Sequence, residues 1–477
     1  MSIDRRTFVA GGLLAALSAR RLLAEAAAPG LVRAGDRPAP PARVSLAGRP
    51  VPTPAQLRWQ QDELAMFIHF GVNTFTDREW GDGRESPASF APTALDARQW
   101  ARTARAAGFR AMVLTAKHHD GFCLWPTATT RHSVASSPWR DGRGDLVREF
   151  VDACRAEGLR PGLYLSPWDQ NHPTYGDTSA YNAVYQAQLT ELLTRYGPIH
   201  EVWFDGANGE GPNGKRQVYD WPATWGLVRR LQPEAVMFSD AGPDIRWIGN
   251  ERGVAGTTNW STVRPDIVPV PGMTGDEVMR SLQDGDRDGT AWRPGETDVS
   301  IRPGWFYHPA EDARVRTADD LVSLYFSSVG RNSKLLLNVP PDRRGLLHER
   351  DVASLLAMRA RLEARFARDL AAGGTMRWRT TGATTAVLEL DLLDLPRPAM
   401  VGIVDLREPI ALGQAVAAHQ LEGRTADGRW QVVSRGTTIG YRRLLEVPPM
   451  RLVGLRVTIT DAVTRPEPLH VGCYAPA

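Results

Sequence analysis

Cysteine is scarce: Cys123, Cys154 and Cys473 are the only three in 477 residues. So sparse and odd a set builds no disulfide framework, and no CxxC pair is present to hold zinc or run thiol exchange. Strong charge of one sign is missing too, because 57 Lys and Arg against 54 Asp and Glu leave a net +3. That balance offers no field for a polyanion, so nucleic acid is not expected as a partner. No apolar run reaches the roughly 20 residues that a spanning helix needs, which argues against stable membrane association. An HExxH or HxH pattern and a GxGxxG turn after the first strand are also absent, so neither a zinc ion nor a dinucleotide is expected. No cofactor is implied.

What is present begins at the N-terminus. Arg5-Arg6 and Thr7 precede an apolar run from Phe8 to Ala19 and small residues around Ala24-Glu25-Ala26. The run is too short to span a bilayer and reads as the core of a twin-arginine-type signal peptide over 1–26, which predicts a periplasmic or secreted mature protein. Residues 27–54, rich in Ala, Pro, Gly and Arg, read as a linker. From there short apolar runs alternate with amphipathic helices. The runs are MFIHFG (66–71), AMVLTAKHH (111–119), PGLYLSPW (161–168), EVWFDG (201–206), AVMFSD (235–240), VSIRPGWFY (299–307) and KLLLNVPP (334–341). With an eighth strand in the irregular 244–260 region, this pattern predicts a (β/α)8 TIM-like barrel over 55–372. A helix from Asp351 is expected to run to about 372, ending at Gly373-Gly374. Beyond it the period changes to two, which predicts an antiparallel β-sandwich over 373–477.

In parallel barrels the chemistry collects where strands end. Those ends carry His69, Lys117-His118-His119-Asp120, Trp168-Asp169, Asp205, Asp240, and Trp305, Tyr307 and His308. The 15 Trp residues suit stacking on the apolar faces of sugar rings. Glycosidases need two carboxyl groups flanking the scissile bond. Asp205, a short side chain at the tip of an apolar strand, suits the nucleophile. For the proton donor the residues leave two choices, Glu251 between Gly249 and Gly253, and Glu296 in RPGETDVS. Trp247 and Trp260 could give Glu251 apolar surroundings. His118 and His119 are adjacent, so on a regular strand they would point to opposite faces; one shared site needs a break there. Neutral imidazoles bonding sugar hydroxyls suit the pair better than metal ligation. A non-catalytic glycan-binding barrel and a metal-dependent barrel hydrolase are the competing readings.

Several motifs in order carry a resemblance: MFIHFGVNTF, Glu79-Trp80, KHHDGFCLW, YLSPWD, EVWFDGA, RWIGNE, VSIRPGWFYH and SVGRNSKLLLNVPPDRRGLL. Together they resemble an α-L-fucosidase of glycoside hydrolase family 29, over roughly residues 55–370, and IALGQAV with GTTIGYRRL resembles the β-sandwich that follows in that family. The resemblance implies a retaining exo-glycosidase acting on fucosylated glycans, without a metal, whose nucleophile is Asp205. RWIGNE and SIRPGWFYH resemble the subgroup acting on α-1,3- and α-1,4-linked fucose of Lewis-type structures, which implies Glu251 as acid/base. It also implies that His69, His118, His119, Trp203 and Arg246 bind fucose, with Trp80 and Tyr164 as further contacts.

Overall fold

The computed structural model describes residues 48–392 and 398–476. The segment read as a signal peptide and most of the linker lie outside the described residues. Eight parallel strands close a barrel: β1 (Leu64–Ile68), β2 (Ala111–Lys117), β3 (Arg160–Leu165), β4 (Glu201–Trp203), β5 (Val236–Ser239), β6 (Ile245–Trp247), β9 (Gly295–Ser300) and β10 (Ser333–Asn338), with β10 pairing back onto β1. β7 (Thr262–Val263) and β8 (Ala291–Trp292) form a small antiparallel ribbon in the excursion between β6 and β9. Strands covered by helices outside and by the packed interior inside have no wet face. Every residue of β1, β2 and β10 is accordingly buried, which is why their middles read as near-continuous apolar runs.

Aspartates start the outer helices. Asp96 accepts from the N–H groups of Arg98 and Gln99, while Asp145 and Asp177 accept from those of Arg148 and Ala180. Each satisfies an otherwise orphaned donor and fixes where the helix begins.

The eighth strand does fall in 244–260, as β6. The run read as a strand over 299–307 is displaced: the strand is Gly295–Ser300, and residues 301–307 cross the rim as a loop. Arg302 draws the chain aside there, buried with its Nε on Asp351 at 2.9 Å and Nη1 on Asp312 at 2.8 Å, and Pro303 has no N–H to extend a ladder. The long helix ends at Arg365, short of 372. Past it, Leu370 N–H donates to Cys473 O and Cys473 N–H donates to Asp369 Oδ1, so pairing with the last strand overrides helical propensity.

Eight strands follow in two sheets, β11 (Thr375–Thr380), β12 (Ala386–Asp391), β17 (Gly454–Ala462), β14 (Val416–Arg424) and β15 (Trp430–Gly436) in one, and β16 (Arg443–Leu452), β13 (Ala399–Arg407) and β18 (His470–Tyr474) in the other. Their facing apolar residues form a separate core. β16 eluded the alternating pattern because Pro448 and Pro449 interrupt it; they fall where the register with β13 jumps from Met450 to Glu446.

Barrel and sandwich are joined around Glu63, which accepts from Tyr325 Oη, from Tyr441 Oη at 3.1 Å and from Arg442 Nη1 at 3.0 Å. Arg442 also bonds Asp405 through Nε at 3.0 Å. Arg442→Met strips the cation from two partly or fully buried carboxylates. A loss of about 3 kcal/mol is expected, read as a lower urea midpoint for tryptophan fluorescence.

Candidate active site

At the C-terminal rim the strands stop and their last side chains meet. Along β4 the period of two sends Val202 and Phe204 into the outer core, while Glu201, Trp203 and Asp205 face the barrel interior. Asp205 stands two residues past the strand and is 4% exposed. Tyr164 Oη, from β3, donates to its Oδ2 at 3.1 Å, and the Ala207 N–H donates to its Oδ1 at 2.8 Å, so the carboxylate is held in one direction.

Two histidines are locked in one tautomer by their neighbours. Asn338 uses its amide N–H groups on Ser300 Oγ and Trp305 O, which turns its Oδ1 towards His69 Nδ1 at 2.8 Å. Ser166 spends its hydroxyl proton on Trp168 O, so its oxygen accepts from His119 Nδ1 at 2.7 Å. A ring so placed carries a proton on Nδ1, and in its neutral form offers Nε2 as an acceptor. For His119 that Nε2 lies 3.9 Å from Asp205 Oδ2. His118 and His119 both lie past the end of β2, with ring centroids 4.1 Å apart, so the break that lets adjacent residues share a site is present. Trp168 and Trp80 close one side, Trp80 packing edge-on to Trp168 at 5.9 Å and to His119 at 6.0 Å. Trp203 forms the floor, stacked on Phe238 at 4.1 Å and tilted against Tyr164 at 5.3 Å.

Glu251 is half-buried, four residues past β6, in a turn whose Gly249 and Gly253 have φ of 82° and 71°. A Cβ at 253 would come within 2.7 Å of Val299 Cγ1, so glycine lets the turn lie against β9. Asn250 Nδ2 ties it to Val254 O and Gln283 Oε1, both at 2.9 Å. Only β5 separates β4 from β6, so Asp205 and Glu251 leave the same end of the barrel two strands apart.

The model of the family described as alpha-L-fucosidase matches residues 84–365. A curated relative, alpha-L-fucosidase 1 of Arabidopsis thaliana, is 42% identical, across 89% of this chain and 87% of its own. The chain belongs to the α-L-fucosidase family. Among solved structures, a glycoside hydrolase 29 family member from an unknown rumen bacterium is 41% identical with a TM-score of 0.82, covering 90% of this chain and 78% of that one. A Ruminococcus gnavus GH29 fucosidase in complex with fucose is 30% identical with a TM-score of 0.80, covering 93% and 97%. The protein is thus a glycoside hydrolase that releases α-L-fucose, built as a TIM barrel with a β-sandwich.

Two expectations about the fucosidase site are corrected by its geometry. Arg246 does not face the sugar side: Ile245 and Trp247 take the interior positions of β6, and Arg246 points outwards, its nitrogens bonded to Leu282 O, Arg293 O and Asn259 Oδ1. Glu296 is not on a loop and is no rival proton donor. It is the second residue of β9, fully buried, with Trp203 Nε1 donating to its Oε1 at 3.0 Å. Lys117 and Asp169 also turn away, forming a buried 3.0 Å ion pair with Tyr181 and Gln188 behind the rim. Asp120, bonded by Asn73 rather than facing the site, is pushed up to about 7 by burial. Among the described residues no three His, Cys, Asp or Glu gather into a metal site.

Sequence reasoning gave no role to Asn338, Ser166, Asp298 and Glu79. Asn338 and Ser166 end strand runs, a usable signal; Asp298, which accepts from Trp247 Nε1 at 2.8 Å, was hidden by the misplaced start of β9. Glu79 holds the rim loop, accepting the N–H groups of Trp305 and Phe306 and bonding the His308 ring at 2.8 Å. The His308 bonds to Glu79 and Asp77 raise its pKa to about 9 from 6.5. A raised histidine pKa adds stability that is whole below about 6.5 and is lost as pH climbs through about 9. The loop bearing Trp305, whose ring lies 5.1 Å from His69, should therefore loosen on the alkaline side. KM for an aryl fucoside is expected to rise near pH 9 in the wild type, and this step should vanish in His308→Gln.

Proposed function

We propose that the protein is a retaining exo-α-L-fucosidase acting on α-1,3- and α-1,4-linked fucose of Lewis-type glycans, with Asp205 as nucleophile and Glu251 as acid/base. The observation that carries this reading is Asp205 itself, a buried carboxylate held at the barrel rim by Tyr164 and Ala207, beside His119. In the first step an Asp205 oxygen bonds to the anomeric carbon as the glycosidic C–O bond breaks, and Glu251 gives its proton to the departing oxygen. Then Glu251, now a carboxylate, takes a proton from water; that water's oxygen bonds to the anomeric carbon and Asp205 leaves as the free carboxylate. Two displacements at one carbon return the original configuration.

Around the sugar, the Nε2 atoms of His69 and His119 suit hydroxyl donors, since both rings keep their proton on Nδ1. His118, Trp80, Trp203 and Tyr164 complete the proposed binding set, the aromatics suiting the apolar methyl of fucose. The fucose complex of the R. gnavus relative is consistent with that substrate class. A twin-arginine route to the periplasm or beyond remains part of the proposal, resting on Arg5-Arg6 and the run after them. Linkage is tested by hydrolysis of α-1,2-, α-1,3-, α-1,4- and α-1,6-fucosylated oligosaccharides. Cleavage centred on the 1,3 and 1,4 members is expected, and preferential cleavage of the 1,2 or 1,6 members contradicts the subgroup.

A further inference from the structure

Beneath the site the barrel axis holds charges that the scheme above does not use. Glu201, two residues below Trp203 on the same interior face of β4, accepts from Trp59 Nε1 at 2.9 Å and from Lys334 Nζ at 3.2 Å through Oε2. Glu296 accepts from Trp203 Nε1 through Oε1, and its Oε2 lies 3.9 Å from the same ammonium. All three side chains are 0% exposed. Two carboxyls and one ammonium, if all were ionised, would leave a net negative charge in a dry interior. Asp62, which also faces Lys334, is already paired with His200 and Arg160. Among the described residues, two buried oxygens, Glu201 Oε1 and Glu296 Oε2, have no hydrogen-bond donor. Each such orphan is costly.

We propose that Glu296 is a positioning residue for fucoside cleavage, its carboxyl anchoring the Trp203 indole and, through the packed Tyr164 ring, the hydroxyl that orients Asp205. This rests on Asp205 being the nucleophile. Three links carry it: the Glu296–Trp203 hydrogen bond, the 5.3 Å contact of Trp203 with Tyr164, and the 3.1 Å bond from Tyr164 to Asp205. Trp203 is in addition only two residues from Asp205 along the chain. The anchor works best as the neutral acid. A proton on Oε2 removes the excess charge and leaves Oε1 to accept from the indole. Burial first, then Glu201 and more weakly Asp298, push the Glu296 carboxyl well above its ordinary 4.5, against the pull of Lys334 and of the indole bond.

Glutamine reproduces the neutral acid, whereas leucine keeps only the volume. Glu296→Gln should keep kcat on an aryl fucoside within about threefold of wild type. Glu296→Leu should lose roughly tenfold to a hundredfold in kcat with little change in KM, as expected for a misaligned nucleophile. A carboxyl with a raised folded-state pKa contributes stability at low pH that fades as pH rises towards that value. The Tm of Glu296→Gln minus that of wild type should therefore grow between pH 5 and pH 9. The proposal is overturned if Glu296→Gln lowers both Tm and kcat at every pH, the signature of an ionised partner of Lys334. It is equally overturned if Glu296→Leu folds and turns over like wild type. Failure of the Asp205 assignment is seen separately, as activity surviving in Asp205→Gly whatever the Glu296 variants do.

Discussion

Asp205→Gly removes turnover of an aryl α-L-fucoside by a factor of about 10³ or more while the fold and its tryptophan fluorescence persist. The effect is this large because the residue supplies a bond and not merely a contact. Without it no fucosyl-enzyme forms, and what remains is binding and alignment of the sugar beside water. The substitution is also structurally mild. Asp205 lies past the last residue of β4, so no strand is interrupted, and the substitution releases two donors, Tyr164 Oη and the Ala207 N–H. Activity within about tenfold of wild type would remove the nucleophile from Asp205.

Glu251→Ala is expected to separate substrates by the quality of their leaving groups. A natural glycan leaves as a poor alkoxide and needs the proton, so its kcat/KM should fall by roughly 10²–10⁴. An activated aryl fucoside needs little protonation, so formation of its fucosyl-enzyme should be far less affected. Azide should then restore the second step, because an anionic nucleophile needs no base. Equal losses on both substrates, without azide rescue, would move the proton-transfer role to another group on the rim.

Much of this site was legible because barrel chemistry writes itself at strand ends. Val202-Trp203-Phe204 followed by Asp205 and glycine marks a strand that stops near a carboxylate, and β4 ends at Trp203, two residues before it. Six of the seven runs fall on barrel strands, visible because strands buried on both faces are largely apolar. β6, at three residues, is too short to show a period and was only bracketed. β9 was misplaced by four residues because its interior positions, Glu296, Asp298 and Ser300, are polar and read as loop, whereas the aromatic loop after it reads as strand. Arg246 shows a different limit. Its nearness to Glu251 in sequence says nothing of which way it faces, and alternation along β6 turns it outwards. Likewise the convergence of His118 and His119 depends on β2 ending at Lys117, after a bulge that no residue pattern announces. The axial charges were the least readable feature, since Glu201, Glu296 and Lys334 meet only when the barrel closes.

The claim on which the rest depends is that a side chain at position 205 carries the sugar between the two steps. Its most direct measurement is mass spectrometry of the protein inactivated with a 2-deoxy-2-fluoro-fucosyl fluoride, whose fluorine slows release of the covalent intermediate. An added fluorofucosyl mass confined to the peptide containing Asp205 is the result expected. A stoichiometric adduct on any other residue would contradict it.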